Sequence, residues 1–210
     1  MQALAEAWLG HGGGQGRFRN LVFLTVGTGI GAGIIADGRL IPGTRGVAGA
    51  AGWLAIAGNW RPEYARVGCL EFLGAGPAVA RLARQAMRAN GRSLIRALTK
   101  EHGGRLTAEI VTAAARRGDP LARQVLEKVG ADLGRGVASI VSLLNPEVVV
   151  LGGGLAAAGG LILKSMRRAM RQWGQPLATR QARIVRSRLG EDAGILGAAR
   201  YALLKLREGA

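Results

Sequence analysis

Two glycine clusters carry the residue types and spacings best suited to chemistry. The first is LVFLTVGTGIGAG at 21–33, where Gly27, Thr28, Gly29, Gly31 and Gly33 lie between an entering apolar run and the departing pair Ile34-Ile35. Glycine has no Cβ, so its backbone can take positive φ and approach a ligand closely. A tight glycine turn between strands also points successive N–H groups into one concavity, which suits an anion such as phosphate. A bulged β-hairpin whose glycines only relieve strain fits the same residues, and both readings stay open at this point. The second cluster is Gly152-Gly153-Gly154, which follows the apolar run at 148–151 and opens into a helical pattern. A strand, a glycine turn and a helix N-terminus together make an anion or nucleotide site; a tight strand-to-helix crossover is the plain alternative.

The elements that must position these turns follow from periodicity and punctuation. Ala3, Leu4, Ala7 and Trp8 make a helical face over 2–9, stopped by Gly10. No capping residue precedes that helix, which leads to the expectation that the chain starts inside a structural unit. A loop is expected over 10–19; its His11 reads as a solvated loop histidine. Strands are expected over 21–26 and 30–36, then a type I′ turn at Asp37-Gly38 and a return strand over 39–41. Asp37 is thereby a turn residue, not a catalytic carboxylate. The stretch 42–68 reads as loop-rich with a strand over 54–57, then a turn over 68–76 and a helix over 77–98 with Pro77 at its start. Thr107 caps a helix to 117, with Glu109 in its first turn.

Asp119-Pro120 supplies an N-cap and a proline at the first helical position. The helix beyond carries Leu121, Val125, Val129, Leu133, Val137 and Val141 as one stripe, with Leu144 near its end. Its Gly130, Gly134 and Gly136 cost helix propensity and predict close approach by another backbone. Asn145-Pro146 ends it. A buried strand over 148–151, a helix over about 155–173, a strand over 182–185 and a helix over 193–206 close the pattern. Strands first, then alternating helix and strand, predict an α/β layered domain.

Composition narrows the partners. The chain has 210 residues, 49% hydrophobic and 20% charged, enough for a globular core. Aromatics are only 4%, so the core must rest on Leu, Val, Ile and Ala. The net charge of +16 suits an anionic partner. Arg81, Arg84, Arg88, Arg92 and Arg96 fall three or four apart and predict one basic helical stripe. No aromatics interleave with them as a base-stacking platform requires, so a solvated face, or one facing an acidic partner, is the expectation over nucleic acid. Cys69 is the single cysteine, which excludes an internal disulfide and any two-cysteine metal spacing. MQALAEAWLG lacks a basic n-region and holds Glu6, and no apolar run approaches a membrane span; the expectation is a cytoplasmic protein without membrane partners.

With both glycine turns placed, the sequence resembles the ROK family of repressors, open reading frames and sugar kinases, within it the glucokinase-like members. The matching stretches are VGTGIGAGI at 26–34, GVAG at 46–49, GCLE at 68–71, NPEVVVLGGGL at 145–155 and LGEDAGILGAA at 189–199. They run over essentially the whole chain and are specific in combination. The resemblance implies an actin-like, ribonuclease H-like ATPase fold, with a mixed sheet and helices packed on it. It implies that Gly27, Thr28, Gly29 and Gly31 hold ATP phosphates, that Gly152, Gly153 and Gly154 lie beside the adenosine, and that Glu71 accepts hydrogen bonds from sugar hydroxyls. A carboxylate can take bidentate, charge-assisted contacts from vicinal hydroxyls.

Departures from the family pattern set further expectations. Where members read AGEIGH, this chain has Ala48-Gly49-Ala50-Ala51-Gly52-Trp53; Ala50 replaces a sugar-binding Glu and Trp53 a His that serves sugar and zinc. Members carry a CxCGxxGC cluster ending at the position of Cys69, preceded here by Pro62, Tyr64 and Ala65. One thiolate cannot complete a tetrahedral site, so no zinc is expected. ROK kinases also carry a first lobe with a DxGGT phosphate loop and an Asn-Asp pair that supplies the general base. Both precede the helix that 3–9 resembles. The expectation is a single C-terminal lobe over 1–210, a leading helix and loop over 1–19 and an α/β core over 20–210. It would have no catalytic residue of its own and would bind ATP with Mg²⁺ weakly or not at all. A sugar and a nucleotide are the expected ligands, and a second copy or a complementing N-terminal lobe the expected protein partner. A sugar-responsive regulator with a degenerate sugar site is the alternative; DNA binding would require a helix-turn-helix upstream.

Overall fold

The computed structural model describes residues 1–10, 18–89 and 92–208; the position of His11 lies outside them. Helix α1 (Gln2–Trp8) leads to strands β1 (Leu21–Val26), β2 (Ile30–Ala36) and β3 (Arg39–Leu40). Asp37 and Gly38 both take positive φ, 49° and 77°, as the type I′ turn requires. Helices α2 (Tyr64–Val67), α3 (Cys69–Gly74), α4 (Gly76–Ala89), α5 (Leu94–Glu101), α6 (Ala108–Arg116) and α7 (Pro120–Leu144) follow. Strand β4 (Val148–Gly152), helices α8 (Gly160–Trp173) and α9 (Pro176–Gln181), strand β5 (Arg183–Arg186) and helix α10 (Ala193–Glu208) complete the order.

The strands of the described residues form one mixed sheet in the order β3-β2-β1-β4-β5. β1 pairs antiparallel with β2 and parallel with β4, Thr25 opposite Gly152, and β4 pairs parallel with β5. Side chains alternate across the sheet. Val22, Leu24 and Val26 of β1 and Val149 and Leu151 of β4 face the large core built from α3–α9. Leu21, Phe23, Val148 and Val150 face the smaller core, which holds α1 and Ala193 at the start of α10. β4 is apolar throughout because both its faces are covered. The expected layered α/β architecture is therefore present.

α7 and α8 pack backbone to backbone. A Cβ on Gly130 would lie 2.6 Å from the carbonyl oxygen of Ile162, and one on Gly134 would collide with the carbonyl oxygen of Met166. Two of the three glycines that weaken the α7 pattern thus admit a neighbouring backbone, as expected; Gly136 instead faces the side chain of Leu70. Leu144 is exposed at the end of α7, and Asn145 closes the helix in the left-handed region at φ 44°.

Several expectations are corrected. The 54–57 stretch is not a strand but irregular chain after a 3-10 turn at Ala51–Trp53. Leu54 and Ile56 do alternate inward onto the core, yet no strand pairs with them. The 68–76 turn is the helix α3. The single helix over 77–98 is two, because Ser93 adopts an extended conformation and caps α5 through a hydrogen bond from Ile95 N–H. Asp119 fixes that break from a distance: its Oδ2 accepts Leu94 N–H at 2.6 Å and Ser93 Oγ–H at 2.8 Å, while Oδ1 accepts Ala122 N–H at the start of α7. The basic stripe is broken with the helix. Arg81 lies 3.8 Å over the Phe72 ring and donates to the Phe72 carbonyl, and Arg96 donates to the Met87 carbonyl. The 155–173 helix is also two pieces, a 3-10 turn at Gly154–Ala158 and α8. Between them Gly159 takes φ 58°, ψ −128°, a region closed to residues with a Cβ. α9 was not anticipated; Gln175 caps it through Ala178 N–H, with Pro176 at the first helical position.

Candidate functional site

The two glycine turns leave the carboxyl ends of adjacent parallel strands, β1 and β4. From β1 the chain turns outward to β2 on one side, whereas β4 is followed by β5 on the other. A crevice opens at such a switch in strand order, and ligands bind there in open α/β sheets. The turns touch: a Cβ on Gly153, whose φ is +82°, would meet the carbonyl of Val26 at 2.5 Å, so only glycine fits. The N–H of Gly27 donates to the carbonyl of Gly29 at 2.9 Å, closing the first turn on itself.

A cleft of about 560 Å³ lies where the turns meet. Gly27 and Thr28 form one wall and Gly154 and Leu155 another, with Gly76, Pro77, Ala80 and Arg84 of α4 and Arg105, Thr107 and Glu109 around α6 completing it. Thr107 caps α6 by accepting Ile110 N–H. Among the described residues the N–H groups of Thr28, Ala108, Glu109 and Gly154 donate to no backbone carbonyl outside regular elements, while Gly76 N–H is taken by Gly27. Backbone donors and two guanidinium groups at one cleft match the needs of a polyphosphate. The residues present therefore fit a nucleotide. Mg²⁺ would enter with the phosphates, since it keeps several waters and binds few protein ligands; the described residues hold no cluster of three metal-ligating side chains.

The other sequence-derived site residues fall elsewhere. Gly29 turns away from the cleft toward Glu71, and Gly31 sits within β2 opposite Thr25. Gly152 is buried in β4, where a Cβ would collide with the Phe23 ring. Glu71, half-buried in the first turn of α3, accepts Ile30 N–H at 2.7 Å through Oε2. Trp53 is largely exposed, and Ala50 immediately precedes the 3-10 turn that Trp53 ends. Cleft residues that sequence reasoning did not assign are Arg84, Arg105, Thr107 and Glu109. The signals were the helix starts at Pro77 and Thr107, which place helix N-termini and the flanking arginines near whatever fills the cleft.

The fold and cleft define an α/β domain with an open cleft where two glycine turns meet at the carboxyl ends of parallel strands. The model of the ROK family matches residues 1–205, and the chain belongs to that family. It is 34% identical over 93% of its length to the glucokinase of Halalkalibacterium halodurans, of which it covers 58%. The crystal structure of a ROK family glucokinase from Streptomyces griseus, in complex with glucose and AMPPNP, superposes with a TM-score of 0.75 at 30% identity, covering 94% of this chain and 65% of that one. A ROK family transcriptional regulator, homolog of the E. coli MLC protein, superposes with a TM-score of 0.83 at 30% identity over 95% of this chain and 48% of that one. The actin-like ATPase fold of the ROK sugar kinases is thus the fold of this chain. The chain spans roughly three-fifths of the length of the glucokinase relative it matches.

Proposed function

We propose that this chain is the nucleotide-holding lobe of a glucokinase-like ROK sugar kinase, a single lobe over 1–210. The observation that carries the reading is the cleft in which Gly27 and Thr28 meet Gly154 between Arg84 and Arg105. In this reading the Thr28 and Gly154 N–H groups and the two guanidinium groups take ATP phosphates with Mg²⁺, and Glu71 offers a carboxylate oxygen to a sugar hydroxyl. The lobe binds nucleotide and a hexose and transfers phosphate only together with a first lobe that supplies the general base. The glucose and AMPPNP named in the S. griseus complex support this assignment of ligand classes. Titration calorimetry with Mg-AMPPNP tests it directly, and glucose- or hexosamine-dependent ADP release with a matching N-terminal lobe tests the activity. No turnover in that reconstituted pair would remove the kinase reading.

The similarity to a regulator favours a second reading, a sugar sensor with a degenerate site. Ala50 and Trp53 stand where the family pattern has polar sugar-binding residues. Failure of both sugars and nucleotides to shift the melting temperature would remove it. A second copy of the chain or a complementing N-terminal lobe is the protein partner we infer, and light scattering distinguishes a homodimer from a monomer. Among the described residues no helix is long and apolar enough to cross a membrane.

A further inference from the structure

Glu71 lines none of the nucleotide cleft, yet it is bound to the turn that does. Its Oε2 accepts the N–H of Ile30, the residue that leaves the GTG turn into β2, at 2.7 Å and across 41 residues of sequence. The approach is close on every side. A Cβ on Gly29 would stand 2.9 Å from Oε2, and one on Gly52 would stand 3.0 Å from Oε2 and 2.8 Å from the Ile30 carbonyl oxygen. The carboxylate is therefore seated between two glycines against the backbone of the turn, while Oε1 accepts no hydrogen bond from the described residues. A few residues on, the Gly76 N–H holds the Gly27 carbonyl at 2.8 Å. The 71–76 segment thus grips both shoulders of the turn, one by a side chain and one by main chain.

We propose that Glu71 is a positioning residue for the phosphate turn: by fixing Ile30 it sets the conformation in which Thr28 faces the nucleotide. This rests on the nucleotide reading of the cleft and adds a role that contact with a sugar hydroxyl does not require. A charged acceptor on a backbone N–H is the stronger kind of hydrogen bond. Losing it releases the turn without removing any group that touches nucleotide. Gln at this position keeps a carbonyl oxygen able to accept Ile30 N–H; Ala does not.

The test compares the wild-type chain with Glu71→Ala and Glu71→Gln in two measurements, Mg-AMPPNP affinity by calorimetry and amide hydrogen exchange at Ile30 by NMR. The expected result is an affinity lower by about tenfold in Glu71→Ala, the size of one charge-assisted hydrogen bond, with Ile30 protection lost. Glu71→Gln should restore most of both. Wild-type affinity and wild-type Ile30 protection in Glu71→Ala would overturn the proposal, as would a folded Glu71→Gln that behaves like Glu71→Ala. If the wild-type chain binds no AMPPNP while Ile30 protection still follows residue 71, the nucleotide reading fails and the positioning role stands.

Discussion

The backbone N–H of Gly76 donates to the carbonyl of Gly27 at 2.8 Å, joining the start of α4 to the glycine turn that ends β1. A Cβ on Gly76 would stand only 3.1 Å from that oxygen. The contact brings Arg84, two turns further along α4, to the same cleft as Gly27 and Thr28. Arg105, from the chain before α6, lines the same cleft.

These two arginines yield a first prediction. Arg84→Ala and Arg105→Ala should each weaken Mg-AMPPNP binding by about tenfold, the worth of a charge-assisted contact to phosphate. The losses should shrink as salt is added, because ions screen exposed charge pairs. Calorimetry at two ionic strengths checks both points.

Asp119 caps two helices at once, so its removal should cost more than a single cap. Asp119→Ala is expected to lower unfolding stability by about 2–3 kcal/mol in denaturant titration. Burial alone would raise this carboxyl, but hydrogen bonds from Ala122, Ser93, Leu94 and Leu121 hold it below its ordinary value. A depressed folded value means the stabilisation is complete above the unfolded value near 3.9 and is lost as pH falls through the folded one. Asp119→Asn should flatten the fall in melting temperature below about pH 4.

The α7–α8 contact leaves no room for a side chain at Gly134. Gly134→Val should separate the helices and destabilise the chain by about 3 kcal/mol, read as a lower denaturant midpoint.

The segment before α3 is held by stacking. Arg81 lies 3.8 Å and Arg61 5.1 Å from the Phe72 ring, and Tyr64 meets that ring edge-on. Phe72→Leu, which keeps apolar bulk but loses the ring, should cost about 1–2 kcal/mol. Dialysis against a chelator should leave the melting temperature unchanged; a fall restored by Zn²⁺ would show that a metal shares this segment.

Much of the fold was legible because its signals are local. The apolar run in 21–26, the Asp37-Gly38 turn, the Thr107 and Asp119-Pro120 caps and the continuous apolar run of β4 each depend on neighbours a few residues away, and each is found where the pattern puts it. Boundaries differ from the local pattern where a distant group intervenes. Ser93 starts a new helix with Asp119 bound to it, and Leu54 and Ile56 lie against the core without a strand to pair with.

The sequence by itself determined the family, the layered α/β order and the two glycine turns, since these rest on residue type and short spacing. Tertiary structure alone decided which of those glycines line the cleft. It put Gly27, Thr28 and Gly154 in the cleft, turned Gly29 to Glu71 and buried Gly152 under Phe23. It also brought in Arg84 and Arg105. The physical reason is that a cleft is the space left between elements after they pack, and its walls come from segments whose nearness is set by the pairing of β1 with β4 and the seating of α4 and α6 on the core.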